Sequence, residues 1–256
     1  MGGFGSGWFA SAGHVSQNQK DEWSKRIGIT AEIGAIEADE AITNEVVKKL
    51  PKEVLDYEHS FGDYGSSKLE STALFLYSGT HYERQNYFLR NGRDLSGEDN
   101  TNIRWEIPEL DNAIEKSPPV PKGIELYRGV GQETGSYLSK IKVGETIRDE
   151  AFQSHTLSLN IAARFAVGFG HPDTNSPFAQ KTIIRAVTDG KVKGLYTNRL
   201  KEHEMIIPRN TVWKVMSVDK IVIPRPKSMP KYPWEKGSEM KQMPDITYNI
   251  ISVEPW

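Results

Sequence analysis

The chain has 256 residues and a mass of 28.8 kDa, with 37% hydrophobic and 26% charged residues. This length fits one large domain, or one domain with an added arm. The absence of cysteine excludes disulfide scaffolds, thiol nucleophiles, cysteine-based zinc fingers and iron–sulfur clusters. Lys and Arg total 32 against 34 for Asp and Glu, so the net charge of −2 provides no overall field for nucleic acid. We therefore predict no nucleic-acid partner.

The N-terminal segment is rich in glycine and serine. No Lys or Arg precedes Lys20 and no continuous apolar run follows the first residue, which argues against a cleaved signal peptide. No stretch of the sequence approaches the roughly 20 apolar residues that a membrane-spanning helix needs. We expect residues 1–20 to form a flexible arm.

Helices are predicted for the first half of the chain. Apolar residues recur at helical spacing over 33–55, within a helical extension that we assign to residues 21–56. A second helix is predicted over 68–77 and is expected to end at Gly79. Thr80 then begins a third helix, because the Glu three positions later completes a capping box.

Short runs of β-branched and aromatic residues follow the proline cluster near position 120. We predict strands at 124–130, 146–158, 182–187, 203–208, 211–217 and 220–223. One helix, 161–169 with Asn160 as its N-cap, interrupts them. Helices followed by strands without regular alternation predict an α+β fold. Residues 226–256 contain five prolines and are expected to form an extended strap on the surface.

Two carboxylates occur at alternating positions in Glu202-His203-Glu204. In a strand they project to one face and His203 to the other. Such a pair is unfavourable unless a cation or a polar substrate lies between the two groups. A solvated strand edge is the ordinary alternative for an isolated Glu-x-Glu.

Two further patterns indicate a polar ligand. Ser154, Thr156 and Ser158 alternate along one predicted strand face, where hydroxyls bind a ligand or hydrogen-bond to neighbouring strands. Arg128 ends an apolar strand directly before Gly129. An arginine suits phosphate at such a position, although a structural salt bridge is the alternative.

Other kinds of site are not supported by the sequence. The six histidines show no ligand spacing, so we predict no metal. The glycine run over 129–135 is one residue too long for a dinucleotide-binding turn. Ser154 and His155 are neighbours that face opposite sides of a strand, which argues against a nucleophile–base pair.

Taken in order, these motifs resemble the three-part signature of arginine-type mono-ADP-ribosyltransferases. Arg128 corresponds to the arginine of the first core strand, Ser154 and Thr156 to the Ser-Thr-Ser strand, and Glu202 with Glu204 to the Glu-x-Glu motif. His155 stands where the family usually has Thr, and Thr156 replaces the second Ser. We expect His155 to face away from NAD.

The resemblance covers residues 57–225, which we assign to the catalytic domain, and includes a helix over 77–90 ahead of the core. It implies an α+β core of mainly antiparallel β-sheets packed as a sandwich, with an N-terminal helical part. Residues 194–201 take the position of the family's target-recognition loop, with Tyr196 as its aromatic residue.

The resemblance also implies roles for these residues, with NAD as co-substrate and no metal. Glu204 would hold the ribose and stabilise the ribosyl cation, and Ser154 would orient Glu204. Glu202 would orient and deprotonate an acceptor guanidinium, which points to an arginine on a target protein. The residues implied in NAD binding are Arg128, Gly129, Ser154, Thr156, Phe165 and Glu204.

The function expected from this resemblance is transfer of ADP-ribose from NAD to a protein arginine. Two alternatives remain: an NAD glycohydrolase with water as acceptor, and a non-catalytic module of a virion or secretion system. The family includes bacterial toxins delivered into host cells and phage enzymes. We expect action in a target or host cytoplasm, reached by secretion or injection without a cleaved signal peptide.

Overall fold

Helices occupy most of the N-terminal half of the computed structural model. The structure describes residues 12–28, 33–62, 66–93, 101–167, 181–224, 229–230, 240–241 and 245–256. The helices are α1 (Gln17–Ile27), α2 (Ile33–Val47), α3 (Lys52–Leu55), α4 (Ser66–Leu76), α5 (Tyr82–Asn91), α6 (Thr101–Lys116), α7 (Gln132–Leu138) and α8 (Leu159–Val167). Among these helices, none combines the length and apolar character that crossing a bilayer requires.

The strands follow in the C-terminal half, which confirms the expected α+β class. They are β1 (Glu125–Val130), β2 (Thr146–Arg148), β3 (Gln153–Thr156), β4 (Lys181–Val187), β5 (Leu195–Thr197), β6 (Glu204–Ile207), β7 (Val212–Ile223), β8 (Met229–Pro230), β9 (Met240–Lys241) and β10 (Ile246–Pro255). Eight of them form one sheet in the order β2-β7-β10-β4-β1-β3-β6-β5, and β8 pairs with β9. All neighbours in the large sheet are antiparallel except β10 and β4.

The large sheet has two halves that meet between β1 and β3. The pair Tyr127 and Thr156 joins these two strands, whereas β1 and β4 pair along the whole of β1. One hydrophobic core contains Leu126 of β1 together with Met205 and Ile207 of β6. Both halves therefore pack on a shared core, as the expected sandwich requires.

The prediction for the C-terminal segment is wrong. Instead of a surface strap, β10 lies between β7 and β4, and Tyr248 and Ile250 are fully buried. Four of the five prolines precede this strand and the fifth is its last residue, so they leave residues 248–253 free to pair on both sides. A nearly continuous apolar run is typical of a strand covered on both faces.

A kink at Gly79 separates α4 from α5, which agrees with the predicted helix end at this residue. The segment Tyr77–His81 joins the two helices, and Gly79 has non-helical backbone angles within it. The third helix begins at Tyr82 rather than at Thr80, and no side chain caps its N-terminus. His81 Nδ1 lies 3.1 Å from a carboxylate oxygen of the buried Glu106, so this contact joins the kinked segment to α6.

Three further predictions need correction. The strand expected over 146–158 is two strands separated by a loop, whereas 211–217 and 220–223 belong to the single strand β7. The helix α6, which contains the exposed Pro108, was not predicted from the sequence. The cap of α8 is Ser158, whose Oγ accepts a hydrogen bond from the backbone N–H of Ile161 at 3.1 Å.

The first two helices are joined to α8 by a buried charge network. Asp39 of α2 accepts hydrogen bonds from Arg26 Nε at 2.7 Å, from the Leu159 backbone N–H at 3.2 Å and from the Ser158 hydroxyl. The Asn160 amide, predicted as a cap, instead donates to the carbonyl of Arg26 at 3.1 Å. The helix α1 begins at Gln17, inside the segment expected to be a flexible arm; residues 1–11 of that segment lie outside the described part.

We expect Asp39→Asn to lower the free energy of unfolding by about 3 kcal/mol, because it leaves the Arg26 guanidinium buried without its counter-ion. Urea denaturation measures this change. Glu45→Gln is the matched control, since Glu45 lies on the same helix but pairs with Lys48 in solvent. The control should change stability by less than about 0.5 kcal/mol. Equal losses in the two variants would contradict this account.

Candidate active site

The strands β3 and β6 bring Ser154 and Glu204 together on one face of the sheet. Thr156 pairs with Glu204 in the ladder and Ser154 with Ile206, so the two side chains are diagonal neighbours. The Ser154 hydroxyl donates to Glu204 Oε1 at 2.5 Å. This contact fixes one carboxylate oxygen and leaves the other directed away from the serine.

Glu204 is held in an environment that disfavours its charge. Burial raises the pKa of its carboxyl to about 7, the Ser154 hydrogen bond opposes this rise, and the negative charge of Glu202 adds to it. A carboxylate that is ionised only near neutral pH is typical of active sites. Glu204 can therefore respond strongly to a positive charge formed beside it.

Glu202 lies just before β6 rather than within it, which differs from the regular strand assumed from the sequence. Its carbonyl accepts a hydrogen bond from the Thr156 hydroxyl at 2.5 Å. Burial raises the pKa of the half-buried Glu202, and the charge of Arg164 opposes this effect. Thr156 thus secures the backbone between the two carboxylates, and its predicted contact with NAD stays a prediction.

Arg128 shares one carboxylate with a second arginine. Its Nη2 donates to Asp149 Oδ2 at 3.0 Å, and Arg90 of α5 donates to both oxygens of Asp149 at 2.9 and 2.8 Å. Two guanidinium groups around one carboxylate leave a net positive charge at this point. Such a fork of donors suits a phosphate group.

Arg90 and Asp149 are not among the site residues predicted from the sequence. A usable signal exists for Arg90, because Tyr82, Asn86 and Arg90 are spaced four residues apart and share one face of α5. Burial raises the pKa of the Tyr82 hydroxyl to about 12, and the charges of both Glu202 and Glu204 add to this rise. That helix face therefore borders the two carboxylates. Asp149 lies in a loop between strands, where no periodic pattern reveals its position.

Gly129 is packed directly against α8. A Cβ atom at this position would lie 2.0 Å from the carbonyl oxygen of Ala162 and 2.5 Å from the amide nitrogen of Ala166. Only glycine permits this approach between strand and helix. The same contact brings Phe165 beside Gly129, so two residues expected at the nicotinamide end are neighbours.

Two expectations about neighbouring aromatic residues have different outcomes. His155 is buried in the core near Trp213, with ring centroids 5.8 Å apart, and faces away from the carboxylates as strand alternation predicts. Burial lowers the pKa of its imidazole to about 3. Tyr196 was expected as the aromatic residue of the target-recognition loop, and the structure places it in β5 with only 6% of its surface exposed. Its contact is internal, with His203.

Within the described residues, no group of three or more His, Asp or Glu side chains is arranged to hold a metal ion. The independence from metal stays a prediction.

Comparison with known proteins shows the family of the chain. The family model "ADP-ribosyltransferase exoenzyme" matches residues 21–238. Secreted exoenzyme S of Pseudomonas aeruginosa is 25% identical over 143 residues, and Exoenzyme T of the same organism is 28% identical over 144. These regions cover 56% and 55% of this chain but 30% of each relative.

Solved structures show the same fold. The ADP-ribosyltransferase Vis, crystallised with agmatine, aligns with a TM-score of 0.53 at 19% identity, covering 85% of both chains. The Clostridium perfringens toxin component BECa, crystallised with NADH, aligns with a TM-score of 0.57 at 15% identity, covering 82% of this chain and 48% of that one. Because the family match extends over most of the sequence and these folds agree, the chain belongs to the ADP-ribosyltransferase exoenzyme family, whose enzymes use NAD as substrate.

Proposed function

We propose that this protein transfers ADP-ribose from NAD to an arginine side chain of a target protein and releases nicotinamide. The observation that carries the proposal is the half-buried Glu204, which is bound by Ser154 and lies close to the half-buried Glu202. Glu204 acts on the reacting ribose, and Glu202 acts on the incoming acceptor.

The reaction breaks the bond between the ribose C1′ and the nicotinamide nitrogen, whose electron pair leaves with nicotinamide. Positive charge develops on the ribose in the transition state, as it does in glycoside hydrolysis. An ionised Glu204 stabilises that charge most when it is already oriented and poorly solvated. Ser154 supplies the orientation through its hydrogen bond to one carboxylate oxygen.

The acceptor step forms a bond between C1′ and a guanidinium nitrogen, which must lose a proton. A guanidinium has a pKa above about 12 and is a poor nucleophile unless a nearby carboxylate orients it and accepts the proton. Glu202 has this role in the proposal. Its raised pKa makes it a better proton acceptor than an exposed carboxylate.

The remaining residues hold NAD in place. Arg128 and Arg90 bind the pyrophosphate, since their shared contact with Asp149 leaves positive charge and preformed geometry. The backbone of Gly129 receives the nicotinamide amide, and Phe165 packs on the nicotinamide ring. The proximity of Phe165 and Gly129 supports this arrangement.

The likeness to exoenzymes supports a setting for this activity. Secreted exoenzyme S is a secreted protein by name, and this chain spans 30% of its length. We propose that the protein acts as a bacterial effector on proteins in a host cytoplasm. Water as the only acceptor is the rival function, and a purely non-catalytic interaction module is the second rival. Incubation with labelled NAD separates the three, giving labelled protein, free ADP-ribose or intact NAD.

We expect Glu204→Gln to lose both NAD hydrolysis and transfer by more than 100-fold, because the developing cation loses its carboxylate. Glu202→Gln should keep hydrolysis and lose transfer, because only the acceptor step needs that group. Nicotinamide release and transfer to agmatine measure the two activities separately. Equal loss of both in Glu202→Gln, with unchanged NAD affinity, would contradict the division of roles.

The pH dependence should follow Glu204. Hydrolysis needs its ionised form, so kcat/KM for NAD should rise about tenfold per pH unit below the pKa of about 7 and level off above it. Ser154→Ala removes a hydrogen bond that stabilises the carboxylate, and this should move the inflection to higher pH. An inflection that stays in place in Ser154→Ala would show that another group titrates.

Arg90→Met should raise KM for NAD about tenfold, because a charge-assisted contact with phosphate is lost. Arg209→Met is the matched control. Arg209 also binds both oxygens of a single carboxylate, with its Nε 2.9–3.0 Å from Asp111 Oδ1 and Oδ2, and its side chain has similar exposure to that of Arg90. The control should change KM less than twofold. A similar rise in both variants would assign the effect of Arg90 to general surface charge.

A further inference from the structure

The turn between β5 and β6 is closed by contacts that converge on His203. Tyr196 Oη and His203 Nδ1 are hydrogen-bonded at 2.9 Å. The His203 backbone N–H donates to Asn198 Oδ1 at 3.0 Å, and its carbonyl accepts from the Leu157 N–H at 3.1 Å. The residue between the two carboxylates is therefore anchored at its ring, its N–H and its carbonyl.

The backbone at this point has an unusual conformation. His203 has a φ of +47° and Lys201 a φ of +59°, both in the left-handed region that few non-glycine residues adopt. Such a conformation persists when surrounding contacts hold it. The left-handed conformation of His203 sets the direction in which the backbone enters β6, and therefore the position of Glu202 before the strand.

The two partners keep the protonation states that this hydrogen bond needs. Burial raises the pKa of the Tyr196 hydroxyl to about 12, with the charge of Glu58 adding to the rise. Burial lowers the pKa of His203, although the charges of Glu40 and Asp39 oppose this change. Near neutral pH the Tyr196 phenol and the His203 imidazole are therefore both neutral when they form this hydrogen bond.

Glu204 and Glu202 depend on this turn to different degrees. Glu204 belongs to β6, pairs with strands on both sides and is bound by Ser154. Glu202 lies outside the strand, and its backbone carbonyl accepts a hydrogen bond from the Thr156 hydroxyl. Loosening of His203 should therefore displace Glu202 more than Glu204.

We propose that Tyr196 and His203 act as a positioning pair that holds Glu202 toward the acceptor and so favours transfer to a guanidinium over reaction with water. The proposal rests on the proposed function, because it assigns acceptor selection to Glu202. Tyr196 lies in the core with 6% of its surface exposed, so it acts on Glu202 through His203.

Tyr196→Phe tests the pair because it removes one hydroxyl and keeps the ring in the core. Nicotinamide release without acceptor and transfer to agmatine are measured on the same preparation. We expect the ratio of transfer to hydrolysis to fall about tenfold. Tyr57→Phe is the matched control, since its hydroxyl donates to the Ala113 carbonyl at 3.0 Å and should leave the ratio unchanged.

A second pair of variants separates positioning from stability. Asn tolerates a positive φ and places a polar atom near the site of Nδ1, so His203→Asn should keep the ratio, whereas His203→Ala should lower it as Tyr196→Phe does. The double variant Tyr196→Phe, His203→Ala should be no worse than either single variant, because both remove one interaction. Thermal unfolding confirms that each variant is folded.

The outcomes distinguish the proposed function from the positioning pair that rests on it. A wild-type protein that hydrolyses NAD but labels neither agmatine nor protein refutes the proposed function. A wild-type protein that transfers, with an unchanged ratio in Tyr196→Phe, refutes the positioning pair alone. A parallel loss of both activities in Tyr196→Phe would assign the hydroxyl a structural role and also refute it.

Discussion

The structure depends on keeping one carboxylate oriented in a place that disfavours its charge. The hydrogen bond between Ser154 and Glu204 joins β3 to β6 through side chains as well as through the ladder. Burial makes this group reactive toward a cation, yet burial alone would leave it unoriented. The surrounding elements can be understood as supports for that single contact.

These supports come from distant parts of the chain. The helices α1 and α2, far from β3 in sequence, bind the residues that follow β3 through Asp39 and Arg26. The helix α5 places Tyr82, Asn86 and Arg90 on one face, and Arg90 binds the Asp149 carboxylate that Arg128 also binds. The N-terminal helices are thus integral to the site, although they resemble an appendage when the sequence is divided by composition.

Much of the site could be predicted because strand alternation is a reliable geometric rule. This rule predicts that Ser154 and His155 lie on opposite faces. In the structure Ser154 lies beside Glu204 and His155 lies in the core. The rule failed at Glu202, because a left-handed residue follows it and the strand begins only at Glu204. Asp149 could not be found, since its importance arises from two arginines that meet only in the folded chain. Prolines misled the prediction for β10, because four of them precede the strand and the fifth, Pro255, is its last residue.

The close packing of Gly129 on α8 has a consequence for how the cleft can vary. The atoms nearest to this glycine are a carbonyl oxygen and an amide nitrogen of the helix main chain. Exchanging neighbouring side chains creates no space there, because every residue carries the same backbone atoms. The separation of strand and helix is therefore independent of which side chains surround it. Relatives that diverge widely in sequence can retain the same separation of strand and helix here while the surrounding surface side chains vary.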